Sequence, residues 1–420
     1  MKHPARCGPS KSGKVTTRRL RRAPRAVPRS EAGFRHWICG RLLSAMLELA
    51  NSLEKLTLAS PPPLASTALP PRQLRQPMLG VCGESDARTL QKLVVLGFIA
   101  SASALRIGVT GAHGFLGNEV VWQATAQGHV VRAIVRERNR AGSAALPATC
   151  EQFEAPDLSD PAQARAAAAG MDAIIHTASV FKKCEDMEKE LVQPNIALVK
   201  EMVHACKAAD ARLVLTSSMA AVRGAGQSPS AGPCYTASDW NTASQRDGPG
   251  FEPYQYSKME SERIGWALAR EEGVDMVALC PPMIFGPPRA PDTSAVSVSM
   301  VRGWLLGTSP VRSLLVSDVR DVAQAHLNAA VFPVAAGRRY IVGNEARLNA
   351  ADVADAIRQR VGASAVADMT SSDDEPGATI AIGEQEVEAE EVLWRELGIR
   401  CRKTEETMAD MAERLLCVSS

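Results

Sequence analysis

Tyr254 and Lys258 stand four residues apart in Pro253-Tyr254-Gln-Tyr256-Ser-Lys258, and an apolar run upstream, Arg212-Leu-Val-Leu-Thr, ends in Ser217-Ser218. On a helix, positions i and i+4 share a face, so the phenol and the ammonium are expected side by side, with Tyr256 turned elsewhere. A phenol ionises near pH ~10, poorly matched to proton transfer at neutrality unless a nearby cation favours its anion. Lys258 is the expected source of that charge. A hydroxyl at the strand end, Ser218 or its neighbour Ser217, can hold a substrate oxygen and stabilise charge developing on it. Ser218, Tyr254 and Lys258 are thus the groups needed to protonate a carbonyl oxygen while its carbon receives a hydride.

A hydride needs a bound carrier, and the sequence from Leu105 has the pattern for one. Leu105-Arg-Ile-Gly-Val-Thr110 reads as a strand, Gly111-Ala-His-Gly114-Phe-Leu-Gly117 as a glycine loop, and Asn118 to Gln127 as a helix that Gly128 ends. Gly111 permits the tight turn, Gly114 lets backbone N–H groups approach a pyrophosphate, and Gly117 lets the helix press on the sheet. The next strand, His129 to Val135, follows at βαβ distance and ends in Arg136. A guanidinium there suits the 2′-phosphate of NADP(H), whereas an NAD enzyme usually carries a carboxylate for the ribose. Glu137 is the alternative ribose partner. Asp157 and Leu158 are placed to meet the adenine, and Asp157 reads equally as the N-cap of the helix containing Ala162 to Ala169.

These groups require strands that deliver their ends to one place. Strand and helix patterns alternate through residue 285, which predicts an α/β fold, a Rossmann-type doubly wound parallel sheet with ligand at the carboxyl ends of the strands. Three regions are expected: a basic, Pro-rich extension over 1–104, a nucleotide-binding domain over 105–285, and a smaller substrate-binding region over 286–420 that is interleaved with the last strands. In that last region Pro287 to Pro310 reads as a substrate flap, Val316 to Val331 as strand and helix, and Arg339 to Val342 as a returning strand. Asp373, Asp374, Glu375 and the Glu384–Glu391 cluster read as solvated surface, and His176 and His326 as structural histidines. Trp240, Met283, Phe285, Met300 and Trp304 are candidates for an apolar substrate wall, with core packing as the competing reading.

Composition narrows the function classes. The chain has 420 residues, 45% hydrophobic and 22% charged, which excludes a collagen-like or wholly disordered protein. Residues 1–104 carry 17 Lys and Arg against 5 Asp and Glu, and the remainder 31 against 41. An acidic body repels nucleic acid, and the basic tail lacks a recognition helix or interleaved aromatics, so no nucleic-acid partner is expected. The acid-poor first 42 residues and the prolines at 61–63, 70 and 71 have the composition of a transit peptide, pointing to a plastid or mitochondrion, with an untargeted extension as the alternative. The apolar run Leu93–Leu105 has 13 residues, too short to span a membrane. It reads as a packing helix or a short signal-like segment. Gly8-Pro-Ser-Lys-Ser-Gly13-Lys14 has Walker A spacing, but Val15 stands where magnesium needs a hydroxyl, and chance explains it. The ten cysteines form no CxxC pair, so no metal site is expected and a reducing compartment fits.

The runs Val109 to Gly117, Val131 to Arg136, Ile175-His-Thr-Ala-Ser179, Thr216-Ser-Ser218, Asp239-Trp-Asn241, Tyr254 to Lys258, Pro281 to Pro287 and Asp318 to Ala323 with His326 resemble an extended short-chain dehydrogenase/reductase. The resemblance covers residues 105 to 418 and is strongest to the dihydroflavonol reductase, cinnamoyl-CoA reductase and aldehyde reductase group. It implies that Gly111, Gly114, Phe115 and Leu116, beside Gly117, line the pyrophosphate. Arg136 then takes the 2′-phosphate, Asp157 and Leu158 the adenine, and Thr177, Ala178 and Ser179 the ribose side. Ser218, Tyr254 and Lys258 become the catalytic triad, with Tyr254 and Lys258 also touching cofactor and Pro281 beside the nicotinamide. Asn195 matches a residue that organises a relay water, or it is the N-cap of its helix, and Pro281 is equally a strand end. Val180, Ala197 and Cys280 depart from the usual proline, glycine and asparagine, and the Asn-Trp-Tyr-Cys-Tyr-Gly-Lys signature of cinnamoyl-CoA reductases is missing. The expected function is an NADP(H)-dependent reductase of a small aldehyde or ketone bearing a bulky or aromatic group, working as a monomer or homodimer. A sugar-nucleotide epimerase or dehydratase, or a 3β-hydroxysteroid dehydrogenase, is one alternative, and Arg136 argues against the NAD-retaining epimerases. A non-catalytic dinucleotide sensor is the other, and the intact triad argues against it.

Overall fold

Apolar strands too regular to leave either face in water close into a seven-stranded parallel sheet. A computed structural model of the chain describes residues 104–138, 146–182, 184–289, 295–372 and 380–419. The chain divides into two units, Met1–Ala65 and Ser66–Ser420, and every described residue belongs to the second. The readings made for the 1–103 extension, its Walker-like run and its apolar segment, and for Asp373, Asp374 and Glu375, lie outside the described residues.

The first half runs β1 (Arg106–Thr110), α1 (Phe115–Ala126), β2 (Val130–Val135), β3 (Glu151–Glu154), α2 (Pro161–Ala168), β4 (Ala173–His176), α3 (Gln193–Ala209) and β5 (Arg212–Thr216). It continues with α4 (Glu252–Glu272), β6 (Met276–Cys280), β7 (Met283–Phe285), α5 (Val296–Leu305), β8 (Val316–Asp318), α6 (Val319–Val331), β9 (Arg339–Ile341), α7 (Ala350–Val361) and α8 (Thr404–Ser419). The sheet order is β3-β2-β1-β4-β5-β6-β9 and every pairing is parallel. From β1 the chain winds outward to β3, returns to β4, and then winds the other way. The carboxyl ends of β1 and β4 therefore flank the switch point, where a doubly wound sheet opens its ligand crevice.

Because side chains alternate across a sheet, each strand feeds two cores. Ile107, Val109, Ile175, Val214 and Leu279 pack with α1 and α6 on one face. Ile134, Ile174, Leu213 and Leu215 pack with α2, α3 and α4 on the other. A third cluster gathers α5, α7 and α8 around Phe285 and Trp304, whose rings stack at 5.9 Å. These two members of the expected apolar wall are therefore core. The stretch read as a flap holds a packed helix, α5, whose Val298, Val301 and Trp304 are buried. Glu386 also departs from its solvated reading: it is buried and paired with Arg347 at 2.8 Å and Arg223 at 2.5 Å.

Local chemistry sets the boundaries of the elements that matter. α4 carries Glu252 and Pro253 in its first turn, where a carboxylate suits the helix dipole and a missing N–H costs nothing, and Gly273 ends it in the left-handed region. Asp160, not Asp157, caps α2, accepting from the N–H groups of Ala162 and Gln163, each at 2.9 Å.

Gly111 turns the chain at φ +66°, and α1 approaches so closely that a Cβ on Gly117 would lie 2.3 Å from the Gly111 carbonyl oxygen and 2.8 Å from Thr177 Oγ1. Backbone cannot yield as a side chain can. Gly117→Ala is therefore expected to destabilise the fold by about 1–3 kcal/mol through overpacking, read as a lower urea midpoint. A midpoint equal to wild type would show that α1 does not rest on this contact.

Candidate active site

The carboxyl edge of β1 and the start of α1 form one end of the site. Gly114 is the N-cap of α1 and no side chain caps it, so the first N–H groups of the helix are oriented for an anion. Gly111, Gly114, Phe115, Leu116 and Gly117 lie together here. Across the switch point, Thr177 Oγ1 donates to the Thr110 carbonyl at 2.6 Å and the Ala178 N–H to Thr110 Oγ1 at 3.2 Å, which fixes the β4 loop against the β1 turn. Arg136 is exposed at the end of β2, and its charge, after two Ser159 hydrogen bonds, helps to hold the Asp157 carboxyl below its usual range. Leu158 turns into the core beneath α2. A glycine cradle, an uncapped helix start and a guanidinium at the second strand's end fit a dinucleotide with an extra phosphate.

The other end is built by β5 and α4. Ser217 and Ser218 leave β5 in opposite senses. Ser217 is buried and donates to Glu262 Oε2 at 2.5 Å. Ser218 accepts from the Ala220 N–H at 3.1 Å, and its hydroxyl acts to lower the pKa of the Tyr254 phenol. The structure separates the two serines: Ser217 is committed to Glu262, and Ser218, the one that sequence reading put first, is on the side of the tyrosine. Pro281 lies beside them, its carbonyl accepting from the Met219 N–H at 2.9 Å. Lys258, one turn after Tyr254, donates from Nζ to the Thr216 carbonyl at 2.8 Å.

The electrostatics differ from the expectation that the ammonium lowers the phenol. Desolvation pushes Tyr254 up to about 12, with the Ser218 hydroxyl acting against it. Burial also pushes Lys258 down to about 8, with the charges of Glu262 and then Cys280 holding it up. Lys258 is buried and its ammonium is anchored on Thr216, whereas Tyr254 is half-buried.

Asn195 is neither an N-cap nor exposed: it lies within the first turn of α3, fully committed. Its Oδ1 accepts from the Val180 N–H at 2.7 Å and Ser179 Oγ at 3.1 Å, and its Nδ2 donates to the Val180 carbonyl at 3.0 Å and Ser257 Oγ at 3.2 Å. It ties the β4 loop to the tyrosine helix. Sequence reading missed the site's aromatic mouth. Phe181 lies 4.5 Å, edge to face, from the Tyr254 ring and 6.1 Å from Phe251, and the two phenylalanines are 38% and 66% exposed. Their separation in sequence left no periodic signal.

His176 and His326 are structural. His326 bridges Thr216 Oγ1 at 2.8 Å and the Val322 carbonyl at 2.7 Å, and His176 Nδ1 meets Thr110 Oγ1 at 2.9 Å.

Comparison with known proteins gives the family and the fold. The profile of the NAD dependent epimerase/dehydratase family matches residues 107–343. The chain is 31% identical over 271 residues to cinnamoyl-CoA reductase 1 of Arabidopsis thaliana, spanning 59% of this chain and 73% of that protein. It is 26% identical over 244 residues to dihydroflavonol 4-reductase of Zea mays, spanning 55% and 68%. Among solved structures, yeast methylglyoxal/isovaleraldehyde reductase complexed with NADPH shares the fold, with a TM-score of 0.64 and 24% identity over 75% of this chain and 99% of that one.

Burial lowers His326 to about 4 and His176 to about 3, both below the unfolded value of about 6.5. Each therefore contributes stability that is present above pH ~6.5 and lost as the pH falls toward the folded value. Between pH 7 and 5 the wild type should lose about 2 kcal/mol more unfolding free energy than His326→Gln, measured by urea titration at both pH values. Parallel losses would place His326 in contact with water.

Proposed function

Because the chain belongs to the NAD dependent epimerase/dehydratase family, we propose that it is an NADP(H)-dependent reductase converting a small aldehyde or ketone into an alcohol. The observation that carries this reading is the convergence of Ser218, at the end of β5, with Tyr254 and Lys258 one turn apart on α4, whose ammonium is fixed on the last carbonyl of β5. When bound, the cofactor supplies the hydride. Gly111, Gly114 and the start of α1 hold its pyrophosphate, Arg136 its 2′-phosphate, Asp157 and Leu158 its adenine end, and Thr177 to Ser179 its ribose side.

The residues of this chain do the rest. With Ala220 occupying one of its lone pairs, the Ser218 hydroxyl proton is turned to the substrate oxygen and stabilises the charge that grows there. Tyr254 donates its proton to that oxygen. A phenol held near 12 stays protonated through the neutral range, which suits reduction. Lys258 steadies the phenolate left behind and donates to the ribose hydroxyls. Phe181 and Phe251 present apolar ring faces at the mouth, which supports a substrate whose carbonyl carries a bulky or aromatic group.

Two measurements test the reading. Tyr254→Phe should lower the rate of NADPH oxidation on a panel of aldehydes and ketones by at least ~100-fold, the scale of lost general-acid catalysis, with NADPH affinity nearly unchanged. Arg136→Glu should weaken NADPH roughly 10- to 100-fold, the worth of a charge-assisted phosphate pair, and leave NADH almost as it was. Equal losses for both cofactors would remove Arg136 from the phosphate site. No oxidation of NADPH by the wild type on any carbonyl would overturn the reductase.

A further inference from the structure

The helix that carries Tyr254 and Lys258 presents a third ionisable group on the same face one turn further on. Glu262 is fully buried, and its carboxylate is the meeting point of four elements. It accepts from Ser217 Oγ on the end of β5 at 2.5 Å, from Trp266 Nε1 on α4 itself at 3.0 Å, and from Arg339 on β9 through Nε at 2.6 Å and Nη2 at 3.1 Å. Cys280 Sγ of β6 lies 3.7 Å away. Arg339 extends the network. Its guanidinium donates to the carbonyls of Ala221, Ala237 and Asp239 and lies 4.1 Å over the Trp240 ring.

An ion pair this deep is a poor source of stability, because desolvating both charges cancels most of their attraction. A hydrophobic pair would fill the same space. Its placement has a local effect instead. The charged and titratable groups around Lys258 are Tyr254 and Glu262 on α4, Cys280 on β6 and His176 on β4, with Arg339 of β9 behind Glu262. Among these, Glu262 is the acid whose charge acts most on Lys258. It also holds the residue next to Ser218.

We propose that Glu262 is a positioning residue of the site: its buried carboxylate, pinned by Arg339, anchors Ser217 and with it the strand end that carries Ser218, and places a negative charge one helical turn from Lys258. Its consequence for catalysis rests on the reductase reading; the effect on Lys258 does not. A buried lysine that loses this charge gives up its proton at lower pH, and the phenolate formed at Tyr254 loses its partner.

The test reads Lys258 directly. In the full-length chain with ¹³C at the lysine ε-carbons, the Lys258 resonance, assigned by its loss in Lys258→Arg, is followed against pH. Glu262→Gln should move its midpoint down by about one pH unit, and Ser217→Ala, which removes a hydrogen bond and no charge, should leave it in place. If Glu262→Gln fails to fold with Arg339 unpaired, Glu262→Gln combined with Arg339→Met removes both charges and should move the midpoint in the same direction. An unmoved midpoint overturns the proposal. The same proteins are assayed for NADPH oxidation across pH, where the alkaline limb of kcat should move with Lys258. A shifted midpoint when the wild type itself oxidises no NADPH overturns the reductase and leaves the effect of Glu262 on Lys258 standing. Turnover with an unmoved midpoint does the reverse.

Discussion

The contact between Gly117 and the Gly111 carbonyl decides how near α1 can come to the end of β1, and the site follows from that distance. With no Cβ in the way, the helix start sits over the strand end and Thr177 closes from the other side of the switch point. The uncapped N–H groups of α1 then face the same crevice as the carboxyl ends of β4 and β5. The parallel sheet does the remaining work: it brings Thr110, His176, Thr216 and Cys280 to one edge although they are spread along the chain.

Desolvation is the second organising force. Desolvation pushes Tyr254 up to about 12 and Lys258 down to about 8, and at the depth of Lys258 and Glu262 a charge without a partner would be costly. Each charged group there accordingly has a partner: Lys258 the Thr216 carbonyl, Glu262 the Arg339 guanidinium, and Arg339 three loop carbonyls besides. Asn195 does the equivalent for neutral groups, satisfying the backbone of Val180 on both sides. Tyr254, Lys258 and their neighbours are thus set in a polar network that spans β4, β5, α3, α4 and β9.

Toward solvent the constraint relaxes, and chemistry gives way to shape. Phe181 follows the β4 loop that Asn195 clamps, and Phe251 precedes α4, so both rings are positioned by the elements that position Tyr254. Phe285 and Trp304 instead pack into the core formed with α5, α7 and α8.

Much of this was legible in the chain. The apolar strand runs and helical patterns, the glycine spacing and the Tyr254–Lys258 interval identify the α/β sheet, its switch point and the helix face that carries Tyr254, because each depends on residues close in sequence. The commitment of Ser217 to Glu262, the hydrogen bonds of Asn195, the burial of Glu386 and the aromatic pair beside Tyr254 did not show. They depend on groups brought together from distant segments, such as Ser217 with Glu262, Asn195 with Ser257, and Phe181 with Tyr254. By itself the sequence determined which residue types were available and which elements would carry them. Only the tertiary structure decided which of them share a dry pocket, since burial and long-range pairing are properties of packed neighbours.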